Sequence, residues 1–110
     1  MRVLLDACVP QDFRHELAGV DVTTARFAKL AQLSNGKLLA AIEGRYDVLV
    51  TTDRQLRYQQ NLAGRPFSII VLRSPTNRLD DLLPLVPRLL EVLREVKAGD
   101  VREIGASDWG

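Results

Sequence analysis

Three short apolar runs most constrain what this chain can become: RVLLD at 2–6, YDVLVTT at 46–52 and FSIIVLR at 67–73. Each is too short for a helix and is bounded by turn-forming or helix-patterned sequence. Their apolar residues follow one another instead of alternating with polar ones. A strand of that kind is buried on both faces, which is the habit of parallel sheets. Parallel strands need a crossover between them, and here helix-like segments separate the runs.

Those segments complete the alternation. Pro10 suits the first turn of a helix, where its missing N–H has no intrahelical partner to lose. Residues 11–17 continue it, with Phe13 and Leu17 at i, i+4 on one face. Gly19 offers a C-terminal stop. Val20, Val22 and Thr24 alternate with polar neighbours and predict a second strand. Residues 25–32 predict a short helix. Ser34 is an N-cap for NGKLLAAIEG, whose Leu38, Leu39 and Ile42 form an apolar stripe before Gly44 closes the segment. Asp53 ends the 46–52 strand and can cap a helix in RQLRYQQNLAG. After the strand at 67–73, SPTN is a turn and Asn77 caps a long helix over 78–97. Pro84 and Pro87 fall inside that helix, and an internal proline costs about 3 kcal/mol. The helix therefore breaks near residue 83, with Pro84 opening a second segment. VREI at 101–104 adds an edge strand, and the last residues, 105–110, form a flexible tail.

Strands alternating with helices predict an α/β fold: one three-layer Rossmann-like domain over 1–104, built on a mostly parallel central sheet. A length of 110 residues fits one domain with a core that needs no staples. The single cysteine, Cys8, rules out an internal disulfide. With the single histidine, His15, it cannot build a zinc site of ordinary composition. No apolar run approaches the roughly 18 residues of a membrane span, and no signal-peptide pattern opens the chain. The expectation is a cytoplasmic protein. The net charge of +1 announces no global field for nucleic acid. Yet the basic residues are twelve Arg to three Lys, and Arg is the better fork for phosphate.

Open parallel sheets bind ligands beyond the carboxyl ends of their strands. Asp6 follows the first run, Asp53 follows the second, and residues 73–77 follow the third. Two carboxylates about 4 Å apart repel by roughly 4 kcal/mol at an effective dielectric of about 20, so a shared site calls for a cation. Mg2+ or Mn2+ suits oxygen donors and is satisfied by one or two carboxylates plus phosphate and water. Such an ion polarises a phosphodiester and activates a water. Arg54, Arg73 and Arg78 are candidates to hold the phosphate. Ser74, Thr76 and Asn77 are candidates to donate hydrogen bonds or orient water. Singly, each acid has a plainer explanation as a helix cap; the pair at matching strand ends favours a site. His15 reads as a surface residue and Cys8 as a small buried one beside the acids. Asp80 and Asp81 suit the first turn of the helix that carries them. No phosphate-cradling Gly–Lys loop, dinucleotide fingerprint or nucleophile elbow is present.

The blocks LLDACVP, LSNGKLLAAIEGRYDVLVTTDRQLRYQQNLAG and IIVLRSPTNRLDDLLPLVPRLLEVL, in that order and spacing, resemble the small PIN-like proteins. These are compact relatives of the PIN ribonucleases, often toxin components of bacterial toxin–antitoxin pairs. The resemblance covers about residues 2–104. It implies a Rossmann-like sheet, a Mg2+- or Mn2+-dependent site that cleaves RNA, and an antitoxin partner. Asp6 matches the family's acid after the first strand, and Asp53 its T-x-D block. Two positions depart from the pattern. Ala7 stands where the family usually has Glu or Asn, and Asn35 stands where many members have Asp. Asn35 keeps an oxygen donor; Ala7 keeps none. Glu43 is a further acid, two helical turns beyond Asn35 and away from the site.

The expected catalytic set is therefore Asp6, Asp53 and Asn35, with Asp6 and Asp53 as metal ligands. A second reading keeps the fold and loses the chemistry, leaving a module that binds an antitoxin or RNA. A third is a signal-receiver domain with Asp53 and Ser74 as its marks, but one acid after the first strand and no following lysine argue against it. The Leu-rich segment LLPLVPRLLEVL has more apolar positions than one face needs, which hints at a homodimer.

Overall fold

The computed structural model describes residues 1–56 and 64–105. Its centre is a five-stranded, wholly parallel sheet in the order β2-β1-β3-β4-β5. The strands are β1 (Arg2–Leu5), β2 (Asp21–Thr24), β3 (Val48–Thr51), β4 (Ser68–Arg73) and β5 (Val101–Gly105). The helices are α1 (Asn35–Ile42), α2 (Leu79–Leu82) and α3 (Val86–Glu95). The α/β Rossmann-like expectation holds, and the sheet is parallel throughout.

The three apolar runs form β1, β3 and β4, the middle of the sheet. Alternate residues of each strand serve opposite layers. Val3, Leu5, Val48, Val50, Ile70 and Leu72 pack with Phe13, Leu17, Leu82, Leu89 and Val92 on one face. Leu4, Leu49, Ile69 and Val71 pack with Leu30, Leu38, Leu39 and Ile42 on the other. The two half-patterned runs, β2 and β5, are the edges, as VREI predicted for the last.

Several elements differ from their sequence reading. Residues 11–17 do not make an α-helix; Gln11–Glu16 is a 3-10 helix with Pro10 as its N-cap. Only Phe13 and Leu17 need burial there, and a tight i→i+3 turn places both in a short connector. Residues 25–32 are a compact turn, not a helix. Lys29 takes a left-handed backbone (φ 62) that interrupts helical geometry, while buried Ala25 and Leu30 close the loop through a 2.7 Å Leu30 N–H to Ala25 carbonyl bond.

The break near residue 83 is present, as a 3-10 turn over Leu83–Leu85. Pro84 lies inside that turn, and α3 starts at Val86 with Pro87 in its first turn, where a proline has no bond to break. Asn77 does not cap α2. Arg78 is the N-cap residue, and Thr76 Oγ1 accepts the Arg78 N–H at 3.0 Å. Gly105 belongs to β5, so the domain extends past 104; the tail expectation for 106–110 lies outside the described residues, as do residues 57–63 of the helix expected over 54–64.

The apolar surplus of the last helical segment goes into the molecule's own core. Leu82, Leu85, Leu89, Val92 and Leu93 are buried, and Leu79, Val86 and Leu90 pack against them. The sequence hint of a dimer on that face therefore loses its basis. Among the described residues, no helix is long and apolar enough to cross a membrane.

Candidate active site at the carboxyl ends of β1 and β3

Because every strand is parallel, the ends of β1, β3 and β4 open on one side of the sheet. The register pairs Leu4 with Leu49 and Leu5 with Val50. The ladder continues one step further, with the Asp6 N–H donating to the Val50 carbonyl at 2.9 Å. Asp6 and Thr51 are therefore the next pair. Both continue the alternation of Leu4 and Leu49, which face α1.

That register brings a carboxylate and a hydroxyl together. Thr51 Oγ1 donates to Asp6 Oδ2 at 2.7 Å and accepts the Asp53 N–H at 3.1 Å. Thr51 is fully buried, so its hydroxyl requires partners, and it finds them in both acids. A hydroxyl has one proton, and Thr51 gives it to Asp6. Cys8 Sγ donates to Asp6 Oδ2 at 3.7 Å and lies 3.4 Å from Thr51 Oγ1. Asp6 Oδ1 accepts the Ala7 N–H at 2.8 Å.

Asp53 is held just as firmly. Its Oδ1 accepts the Gln55 N–H at 2.9 Å, a cap-like bond that fits its sequence reading. Its Oδ2 accepts from Asn35 Nδ2 at 3.3 Å. Asn35 is the first residue of α1, and that helix covers the face on which Asp6 and Thr51 lie.

The other expected residues divide. Arg54 reaches across to the Ser74 carbonyl at 3.2 Å, linking the ends of β3 and β4. Ser74 Oγ donates to the Thr76 carbonyl, and Thr76 Oγ1 donates to Asp81. Asn77 and Arg78 are exposed. Arg73 turns toward β5. Its side chain lies over Gly105, where even an added Cβ would come within 3.4 Å, and its Nε is 4.0 Å from Glu103 Oε2. Glu43 is absent from the site, as expected, and pairs with Arg65 at 2.6 Å.

Two features escaped the sequence reading. One is Thr51, whose signal was a threonine in an otherwise apolar buried run. The other is a cleft of about 460 Å³ beside Asp6, lined also by Gln11, Thr24, Arg26 and Leu79. It opens toward β2, away from Asp53.

The donor set suits a hard divalent cation. Two carboxylates from neighbouring strand ends are held by hydrogen bonds, with Asp6 Oδ1 and both Asp53 oxygens each accepting one bond and Asp6 Oδ2 two. Among the described residues no group of three or more His, Cys, Asp or Glu side chains converges. An ion here would complete its coordination from substrate phosphate and water, the usual arrangement for Mg2+.

Fold and site together define a doubly wound α/β domain with paired strand-end acids at the switch between β1 and β3. No family model, curated protein or solved structure matches the chain.

Proposed function

We propose that this chain is a PIN-like, metal-dependent ribonuclease, the toxin of a toxin–antitoxin pair. The observation that carries the reading is that the buried Thr51 hydroxyl donates to the Asp6 carboxylate and accepts the backbone N–H of Asp53, which ties the two strand ends that bear these acids together. It lies at the topological switch point, where ligands of such sheets bind. Asp6 and Asp53 would hold Mg2+ or Mn2+, and Asn35 offers a further oxygen. Bound there, the ion would supply charge to a phosphodiester and acidity to a water. The chain's own part is to hold these groups in place. Thr51 fixes Asp6, and Asn35 and the Gln55 N–H fix Asp53. Arg54 and Arg78, both exposed, would meet phosphate.

The test is a manganese titration by calorimetry joined to an RNA cleavage assay. Asp6→Asn and Asp53→Asn should each abolish metal binding and cleavage. Undiminished cleavage in either variant would sink the assignment.

One observation favours a second reading, a module that binds without cutting. Ala7 occupies the position beside Asp6, and among the described residues no third acid joins Asp6 and Asp53, which weakens the pull on a cation. Ala7→Glu separates the two readings: a large gain in cleavage belongs to a weakened nuclease, no gain to a binding module. The receiver reading gains nothing, because no lysine closely follows the VLRSPTN block.

A further inference from the structure

Among the described residues only Met1 and Phe27 are large hydrophobic side chains left exposed, and Phe27 is 82% exposed. Its exposure is built in. The turn at 25–30 is pinned by buried Ala25 and Leu30, and by Ala28 N–H to Thr24 carbonyl and Leu30 N–H to Ala25 carbonyl bonds of 3.0 and 2.7 Å. Thr24 Oγ1 accepts the Phe27 N–H at 3.1 Å. Lys29 accepts a left-handed backbone to complete the turn, and such strain in a non-glycine residue is retained where the surrounding structure over-determines it.

The ring stands among cations. Arg26 and Lys29 flank it in sequence, both exposed, and neither makes a side-chain hydrogen bond or ion pair among the described residues. Arg14 shares a second cleft with Phe27, of about 310 Å³, lined also by Gln11, Val22 and Thr24. Arg14 is tied to the Gln11 carbonyl at 2.7 Å and lies 3.9 Å from Asp12. This cleft and the one beside Asp6 share Gln11 and Thr24. Gln11 and Thr24 are thus common to the opening at Phe27 and Arg14 and to the opening at Arg26 and Asp6.

We propose that Phe27 is a base-stacking subsite for single-stranded RNA, set at the far end of a track that leads the strand to Asp6. The inference rests on the nuclease reading for what happens at Asp6, but not for the stacking itself. One ring among unpaired cations is the minimal unit of single-strand binding, in which a base stacks and its phosphates meet Arg or Lys. A protein-docking face would instead extend over several hundred Å² of contiguous apolar surface, and here Val22 is the one apolar side chain that lines the cleft beside the ring, with Gln11, Arg14, Thr23 and Thr24 as the rest.

The experiment is fluorescence anisotropy with a short single-stranded oligoribonucleotide containing a fluorescent purine analogue, in EDTA so that no cleavage intervenes. Phe27→Ala should weaken binding by about 5- to 150-fold, the range for loss of one stacked base, and abolish the change in analogue fluorescence on binding. Phe27→Trp should keep both. Phe27 is exposed, so its removal does not threaten the fold. Equal affinity in Phe27→Ala and the parent would overturn the subsite. So would a parent that binds no RNA but loses a protein partner on Phe27→Ala, which would assign the ring to a protein interface. Cleavage of the same oligonucleotide in manganese is measured separately. If the parent cleaves and Phe27→Ala binds as well as the parent, the subsite falls and the nuclease reading stands. If binding depends on Phe27 and no cleavage occurs, the nuclease reading falls and the subsite stands.

Discussion

The end of β4 and the ends of β1 and β3 carry similar side chains and hold them differently. At β1 and β3 the hydrogen bonds run between elements distant in sequence: Thr51 to Asp6, and Asn35 to Asp53. After β4 they close on themselves: Ser74 on Thr76, and Thr76 on Asp81 and the Arg78 N–H. The first pattern fixes groups from separate strands against one another, as a preorganised site requires. The second starts a helix. Arg54, bonded to the Ser74 carbonyl, is the link between the two regions.

The comparison breaks most readily at Thr51. Thr51→Val keeps the shape, removes the donor to Asp6 and removes the acceptor for the Asp53 N–H. A buried group left without its partner costs about 1–3 kcal/mol. Urea denaturation should show a lower midpoint with an unchanged slope, and manganese affinity should fall with it. Thr51→Ser should recover most of both losses. A Thr51→Val protein as stable as the parent, with the same manganese affinity, would show that the two acids are not held together through this hydroxyl.

How much of this was legible beforehand follows from the same contrast. The central strands were readable because both-face burial leaves an unbroken apolar run, and Asp6 and Asp53 were readable as the residues that end such runs. The Asp6–Thr51 contact was not, because it depends on the register between two strands, which neither strand's own sequence states. The turn at 25–30 was misread as a helix because Ala25, Ala28 and Leu30 suit one. A left-handed Lys29 is decided by burial of Ala25 and Leu30, which is a tertiary fact. Asn77 is not the cap because the helix starts one residue later, with Arg78 as the N-cap residue and Thr76 bonded to the Arg78 N–H and to Asp81.

The β4 side offers a smaller effect that sharpens the contrast. Thr76→Val removes the acceptor for the Arg78 N–H and the bond to Asp81. Hydrogen bonds of this kind contribute about 0.5–1.5 kcal/mol each. Thermal unfolding should register that loss, while manganese binding stays at the parental value. A fall in metal affinity would mean that the loop after β4 and the acids after β1 and β3 form one unit.

The smallest expected effect is at Arg73, which the sequence placed among the phosphate-binding candidates and the fold turns toward β5. Its stem packs over Gly105, and its buried Nε has no hydrogen-bond partner. The contact with Glu103 spans 4.0 Å between partly exposed groups, and such a pair contributes about 0–1 kcal/mol. Arg73→Met keeps the stem, removes an unsatisfied N–H and gives up only that weak pair. The gains and losses nearly cancel, so unfolding free energy should change by no more than about 0.5 kcal/mol. RNA affinity should not move. A clear loss of affinity would return Arg73 to the substrate and make the end of β4 a working part of the site. Unchanged affinity would leave Arg54 and Arg78 as the arginines for phosphate on this side, with Arg26 in the cleft beside Asp6.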